Sequence, residues 1–504
     1  MSNTTRIAKN TLLLYFRQIL IMLVSLYTVR VVLNALGAED YGLYNVVAGV
    51  VTMFGFISAA MSTASQRFFS FDLGKNDNEH LKITFSLTVT IYFIMAILVV
   101  VVAETLGLWF VLKKLTVPAD RVVAARWIYQ FSIISFFFTI MTAPFMADII
   151  AHEDMNIYAY VSIVEVALKL LVAYLIKIYS ADKLIFYGLL MAVVTIVNTT
   201  IYRTICKRKY KECKYKFYWD KTYAKEMFSF TGWNMFGSAV GIFKNQLVNI
   251  LLNQYFNPVV NAAKSVSMQV RTAVSSFSQN FSTALRPQII KSYAAENYDE
   301  ALELTFMGCK FTYFLMWVFT LPLILEMEPL LSLWLGNPPE YAVIFTKLAL
   351  LDVLIDSLNF PLMSLAQATG KIKLYQGVVG GILLMNFPVC WIVLSMGADA
   401  WTVQLIGIII TMIAMIVRLI IIKMLTKFSI IKFLHQVILP VCCVSFISFT
   451  LSFGLYKVLS NTIIMTFIKI IVDLIFVALI VFAVGVTKNE RKSLLSFIRS
   501  KIHR

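Results

Sequence analysis

The sequence predicts an all-α integral membrane protein: about 14 transmembrane helices, in two parallel six-helix lobes plus two C-terminal helices. Three observations predict it. The 504 residues are 60% hydrophobic and only 14% charged, with mean hydropathy +0.80, whereas soluble domains carry about 25% charged residues. Apolar stretches near the ~20 residues of a helical span follow one another with little chain between them. Short matches also recur between the two halves at a nearly constant offset.

The expected spans run Thr11–Leu36, Leu43–Ala64, Phe85–Leu112, Val122–Met146, Ile157–Ile178 and Leu184–Tyr202. After a basic gap come Trp233–Phe256, Val259–Leu285, Leu304–Leu325, Tyr341–Ala366, Leu374–Met396 and Val403–Met424, then Val437–Leu459 and Ile463–Val486. The first stretch is too long for a signal h-region, carries Arg17 and Arg30, and is followed by no A-x-A site, so it reads as a retained span.

Cytoplasmic loops retain Lys and Arg, and this sets the orientation. Arg6 and Lys9 precede the first span, Arg203 to Lys225 is a basic gap, and the tail holds Lys488, Arg491, Lys492, Arg499, Lys501 and Arg504. An even number of spans puts all three on one side, so both termini are expected to be cytoplasmic. Lys113, Lys114 and Arg121 are the exception on the opposite side. The net charge of +17 reflects this asymmetry and calls for no nucleic-acid partner.

The halves read as a duplication. Leu33-Asn34 matches Leu252-Asn253, Ser62-Thr63-Ala64 matches Ser282-Thr283-Ala284, and Thr84-Phe85 matches Thr305-Phe306. Six spans per repeat makes the halves parallel, related by an axis along the membrane normal. The expected domains are an N-lobe at 1–205, a basic linker at 206–226, a C-lobe at 227–428, two further helices at 429–487 and a basic tail at 488–504.

Two parallel lobes suit a transporter, with the substrate held between them. Polar stripes mark the candidate lining. Asn234, Ser238, Gly241, Asn245, Asn249 and Asn253 form one face of the seventh span. Asn261, Lys264, Met268, Arg271, Ser275, Gln279, Ser282 and Arg286 form one face of the eighth. Such faces must meet protein or water. A dry interhelical network is the other account of them.

Charges inside the spans sharpen this reading. Glu165–Lys169 and Lys469–Asp473 are four apart and can neutralise within their helices. Arg17 and Arg418 either snorkel to the interface or reach the cleft. Lys244 and Arg271 lie near mid-span without an acidic neighbour at helical spacing. A membrane protein that keeps such cations is expected to handle an anion. The candidate substrate-binding residues are Arg30, Lys244, Asn245, Asn249, Lys264, Arg271 and Gln279. Asp352 and Asp356, four apart, would form a proton or cation coupling site or would pair with a cleft cation.

No catalytic residue, metal or cofactor is expected. Cys206, Cys213, Cys309, Cys390, Cys442 and Cys443 read as reduced thiols, and Cys206 and Cys213 lack metal-ligand spacing in the sequence.

Leu36-Gly37-Ala38-Glu39-Asp40-Tyr41-Gly42-Leu43-Tyr44, and the segment from Pro144 through Ala151-His152-Glu153-Asp154-Met155-Asn156-Ile157-Tyr158-Ala159-Tyr160, resemble recurring segments of polysaccharide-biosynthesis flippases. These are Wzx-type members of the multidrug/oligosaccharidyl-lipid/polysaccharide (MOP) superfamily. The resemblance implies a MATE-like, V-shaped pair of bundles. It also implies alternating-access transfer of undecaprenyl-diphosphate-linked oligosaccharide for O-antigen, capsule or exopolysaccharide. Membrane lipids, a proton or sodium gradient and a polysaccharide polymerase are the implied partners. A lipid II flippase shares this logic. An ion-coupled multidrug antiporter is expected to carry acids in its first lobe, where the first span here has two arginines and none. A membrane glycosyltransferase or ligase would need a larger outer loop than this chain has.

Overall fold

The computed structural model describes residues 3–52, 54–113, 117–256, 258–458, 462–487 and 490–491. The expected basic tail lies outside these residues apart from Glu490 and Arg491, as does Lys114. Every regular element among the described residues is helical. The chain divides into two compact units, Asn10–Ser238, and Ala239–Arg504 together with Met1–Lys9.

In order, the helices are α1 (Asn3–Leu36), α2 (Ala38–Thr52), α3 (Gly55–Gly74), α4 (Asn78–Val102), α5 (Leu108–Lys113), α6 (Val122–Ala151), α7 (Met155–Ile178) and α8 (Lys183–Lys209). Then follow α9 (Lys221–Tyr255), α10 (Pro258–Ala294), α11 (Tyr298–Leu325), α12 (Met327–Leu335), α13 (Ala342–Ala368), α14 (Ile372–Leu384) and α15 (Asn386–Ser395). The series ends with α16 (Thr402–Leu425), α17 (Ile430–Phe433), α18 (Leu439–Val458) and α19 (Ile463–Ile480).

Among the described residues, eleven helices are long and apolar enough to cross a membrane, or twelve when α2 and α3 count as one bent span. The expected count of fourteen is not reached on that measure. The two expected spans outside the set, Ile157–Ile178 and Val259–Leu285, fall within α7 and α10, which are helical throughout. In α10 the reason is chemical: Asn, Ser, Gln, Lys and Arg displace apolar residues along one face. The expected single span Leu43–Ala64 is broken instead, with a 49° bend between the α2 and α3 segments.

The first turn between spans is tighter than the expected loop. Gly37, at φ +84°, ends α1 and donates its N–H to the Leu33 carbonyl. This left-handed conformation costs glycine nothing for want of a Cβ. Glu39 and Asp40 occupy the first turn of α2, where negative charge favours the helix N-terminus. Asp40 also accepts from Arg121 at 3.0 Å, and Arg121 reaches Asp182 at 3.4 Å. Of the three residues that break the orientation pattern, Arg121 therefore has acidic partners, with Asp120 a third at 3.9 Å.

In the Asn10–Ser238 unit, α6 touches α2, α3, α4, α7 and α8. Phe69, Phe85 and Phe145 pack ring against ring, with centroids 5.9 and 5.6 Å apart. In the other unit α13 touches α10, α11, α12, α14 and α16. Close approach there depends on Gly308 of α11, where a Cβ would meet Leu285 Cδ2 at 2.3 Å and Pro361 at 3.1 Å.

Two local devices recur in the two units. α6 and α13 each carry an internal proline, Pro144 and Pro361. Each reaches a left-handed residue nine positions later, Glu153 (φ 63°) and Gly370 (φ 73°). The α3–α4 and α10–α11 turns repeat a second device. Asn76 and Glu296 are left-handed, and the residues after them close the helix ends, Asp77 N to Asp72 O at 3.1 Å and Asn297 N to Ser292 O at 2.9 Å.

The segment after α8 is tied back to the α6–α7 turn. His152 Nε2 lies 2.6 Å from Glu212 Oε1, the His152 and Tyr210 rings stack with centroids 4.2 Å apart, and Lys209 donates to Asp154 at 2.7 Å. Burial disfavours the Glu212 carboxylate, yet hydrogen bonds from His152 and from its own backbone N–H outweigh it and hold its pKa below the usual value.

Candidate functional site

The polar row on α10 places Lys264 and Arg271 seven residues apart, two turns along one side. In the Ala239–Arg504 unit, α10 packs against α13. That contact supplies the acids: Arg271 Nη2 lies 2.9 Å from Asp352 Oδ2 and 2.6 Å from Asp356 Oδ2. Of the two readings of the Asp352–Asp356 pair, the structure has the carboxylates sharing one guanidinium. Asp356 Oδ1 also accepts from Asn359 Nδ2 at 3.4 Å, whereas the buried Asp352 Oδ1 has no hydrogen-bond partner.

The lysines have neutral acceptors. Lys264, only 4% exposed, donates through Nζ to Gln404 Oε1 at 2.5 Å. Lys244 of α9 donates to Thr411 Oγ1 at 3.1 Å. Gln404 and Thr411 are also seven apart, on one side of α16. Lys244, Arg271 and Asp352 all act electrostatically on Lys264, so the five charges form one group. Three cations against two carboxylates leave a formal excess of one positive charge when all are ionised.

Arg271 and Asp356 of this group also line a cavity of about 200 Å³, together with Ser275, Ser278, Gln279 and Phe360, among others. Its floor joins charge to hydroxyl and amide groups, a combination that suits an ion carrying hydroxyls. Asn245 turns back onto its own helix, Nδ2 to Gly241 O at 3.0 Å, and the buried Asn249 Oδ1 is unpartnered. Arg30 is exposed on α1, in the other unit. The structure thus brings Lys244, Lys264 and Arg271 together within one unit, with Arg30 in the other. Arg17, left between the interface and the cleft by the sequence, donates to Tyr158 Oη at 3.3 Å and lies 4.4 Å above its ring.

Gln404 and Thr411 were not among the expected residues. Their signal was available, two polar side chains at seven-residue spacing within a very apolar helix, but their function depends on which helix faces α9 and α10. Two further charge expectations met different fates. Lys169 donates to Glu165 at 2.6 Å within α7, while Lys469 reaches across to Glu326 at 3.1 Å.

Residues 7–292 match the family model described as polysaccharide biosynthesis protein. The chain belongs to that family. A second model, MatE, matches residues 227–392. Among solved structures, a point mutant of the Vibrio cholerae MATE transporter VcmN superposes with a TM-score of 0.69 at 15% identity, covering 84% of this chain and 96% of that one. An outward-facing multidrug resistance MATE transporter of the MOP superfamily gives 0.72 at 12% identity, covering 83% and 96%. A MATE protein in its bent conformation gives 0.73 at 12%, covering 84% and 95%. No curated protein matches. The polysaccharide-biosynthesis member described here is a multi-pass membrane protein with the fold of the MOP-superfamily transporters.

Proposed function

We propose that this protein flips an undecaprenyl-diphosphate-linked oligosaccharide, a repeat unit of O-antigen, capsule or exopolysaccharide, across the bacterial inner membrane by alternating access. Its termini are cytoplasmic in this reading, and a polysaccharide polymerase takes the product. The observation that carries it is the placement of Lys244 and Lys264 against neutral acceptors, Thr411 and Gln404, beside Arg271. A diphosphate draws charge-assisted hydrogen bonds from these groups. Asn, Ser and Gln side chains on the same helices suit sugar hydroxyls.

Arg271 is the responsive member. A phosphate competes with Asp352 and Asp356 for its guanidinium. Once it leaves them, two carboxylates one turn apart repel, which favours uptake of a proton. Substrate binding is thereby linked to the proton gradient, with sodium as the other ion that a carboxylate pair can take.

The same acidic pair favours a second reading, an ion-coupled antiporter in which an organic cation displaces Arg271. One experiment separates them. Purified full-length protein in vesicles should translocate a fluorescent polyprenyl-diphosphate oligosaccharide, and Arg271→Gln should abolish this. Proton-driven uptake of organic cations without glycan movement would overturn the flippase reading, and movement of lipid II alone would redirect it to a peptidoglycan precursor.

A further inference from the structure

A second cluster sits in the Asn10–Ser238 unit, at the end of α8 where the linker begins. Asp148 near the end of α6, Cys206 near the end of α8 and Cys213 beyond it are each fully buried. One carboxylate oxygen and the two Sγ atoms all lie within 4.8 Å of one another. Cys213 Sγ donates to Asp148 Oδ2 at 3.1 Å, and Cys206 Sγ to the Phe145 carbonyl at 3.4 Å. Asp148 Oδ1 is buried without a hydrogen-bond partner among the described residues, 3.8 Å from His152 Nε2. Asp148, His152 and Glu212 likewise offer ligand atoms all within 4.8 Å of one another.

A fully buried carboxylate with an orphaned oxygen is costly, and the neighbouring groups do not compensate it. Two are thiols and one, Glu212, is another carboxylate. His152 is the only basic side chain facing it within 4 Å among the described residues, and its Nε2 is held by Glu212 at 2.6 Å. A small divalent cation supplies the missing charge. Tetrahedral zinc, with bonds of about 2.0 to 2.3 Å, holds its ligand atoms roughly 3.5 Å apart, so this set closes onto it with small side-chain movements. Two sulfurs, a carboxylate oxygen and an imidazole nitrogen are the donors that suit zinc or its close analogues, and not magnesium or calcium.

We propose that Asp148, Cys206 and Cys213 bind a zinc-class divalent cation, with the fourth position on the His152 side. Binding displaces the two thiol protons to solvent, leaving thiolates on the metal. The ion ties together the end of α6, the end of α8 and the first residues of the linker, so it fixes how the linker leaves this unit. The role assigned to the ion is structural, and no redox step is involved. Sequence spacing concealed it, because Asp148 and His152 come from about sixty residues upstream of the cysteines.

The test uses the full-length protein purified in detergent without chelator. Elemental analysis should find one zinc per chain, falling to blank level in the Cys206→Ser/Cys213→Ser variant. Because that variant can misfold, wild-type protein stripped by chelator should also be titrated with Co2+. It should develop a thiolate-to-cobalt charge-transfer band together with the intense visible bands of a tetrahedral ion. Trypsin should cut after Lys214 or Lys216 faster in stripped protein than in metal-loaded protein. Zinc no higher than in the double variant, with no cobalt charge-transfer band, would overturn the proposal. So would a Cys206–Cys213 pair that resists maleimide until it is reduced, since the sulfurs would then be joined to each other.

Discussion

Arg271 Nη2 stands 2.6 Å from Asp356 Oδ2, so the cation expected to await an anionic ligand already has a counter-ion. The relationship changes what a mutation at Arg271 does. Neutralising it removes the guanidinium proposed to bind the diphosphate and also strands two carboxylates, of which Asp352 is buried. Breaking such a pair by removing one partner costs roughly 3–5 kcal/mol. Arg271→Gln should therefore lose both transport and thermal stability. Arg271→Gln/Asp352→Asn/Asp356→Asn should recover most of the stability in a melting assay while remaining inactive. Recovery of transport by the triple variant would show that Arg271 only balances the acids.

The acidic pair gives a separate expectation. With Asp352→Asn/Asp356→Asn, Arg271 loses the two carboxylates that compete with a phosphate for it and keeps only neutral amide acceptors on α13. Binding of the lipid-linked diphosphate should be retained or tightened, and dependence of transport on proton or sodium gradients should vanish. Reconstituted vesicles with imposed gradients measure both. Unchanged gradient dependence would make the pair structural.

These contacts mark the limit of what the sequence could reveal. Apolar length located nearly every span, because that signal is local along the chain. Helix ends set by a single backbone residue were less visible: Gly37 turns the chain where a loop was expected, and the break between α2 and α3 lies inside a continuous apolar run. Partners across helices were not visible at all. Arg271 with Asp352, Lys264 with Gln404, and Lys469 with Glu326 each join residues at least 80 positions apart, and only packing decides which polar faces meet.

Lys264 tests the anion site with less structural damage than Arg271. Its acceptor is the neutral Gln404, so Lys264→Met strands an amide oxygen and no charge. Gln404 Nε2 also holds the Phe345 carbonyl at 3.4 Å, which keeps that side chain in place. A charged hydrogen bond contributes about 1.5–3 kcal/mol, so apparent affinity for the diphosphate substrate should fall roughly tenfold or more. Lys244→Met should act in the same direction. The exposed Lys225→Met should leave transport unchanged, and equal losses at Lys225 and Lys264 would signal a general charge effect.

Gly308 reports on the packing that sets α10 against α13. A Cβ there meets Leu285 Cδ2 at 2.3 Å and the Pro361 ring at 3.1 Å. Overpacking of this kind costs about 1–3 kcal/mol. Gly308→Ala should lower the melting temperature, and Leu285→Ala should do so by leaving a cavity. The double variant should be more stable than the sum of the two losses predicts, because the new methyl fills space vacated by the leucine. Strict additivity would mean that the Pro361 contact, and not Leu285, sets the cost.

Orientation decides the direction of transport, and Arg121 is the residue that blurs it. Its charge lies on the side expected to be periplasmic, where positive residues are sparse. Asp40 at 3.0 Å, Asp182 at 3.4 Å and Asp120 at 3.9 Å neutralise it locally, but it is by number that Arg121, Lys113 and Lys114 are outweighed by the nine Lys and Arg from Arg203 to Lys225. The basic segment from Arg203 to Lys225 then dominates. Both Glu39 and Lys225 are exposed, so a cysteine at either position is reachable by a membrane-impermeant maleimide from its own side. In intact spheroplasts Glu39→Cys should label at once, and Lys225→Cys only after permeabilisation. The reverse pattern would invert the topology, and with it the leaflet from which the lipid-linked glycan is taken.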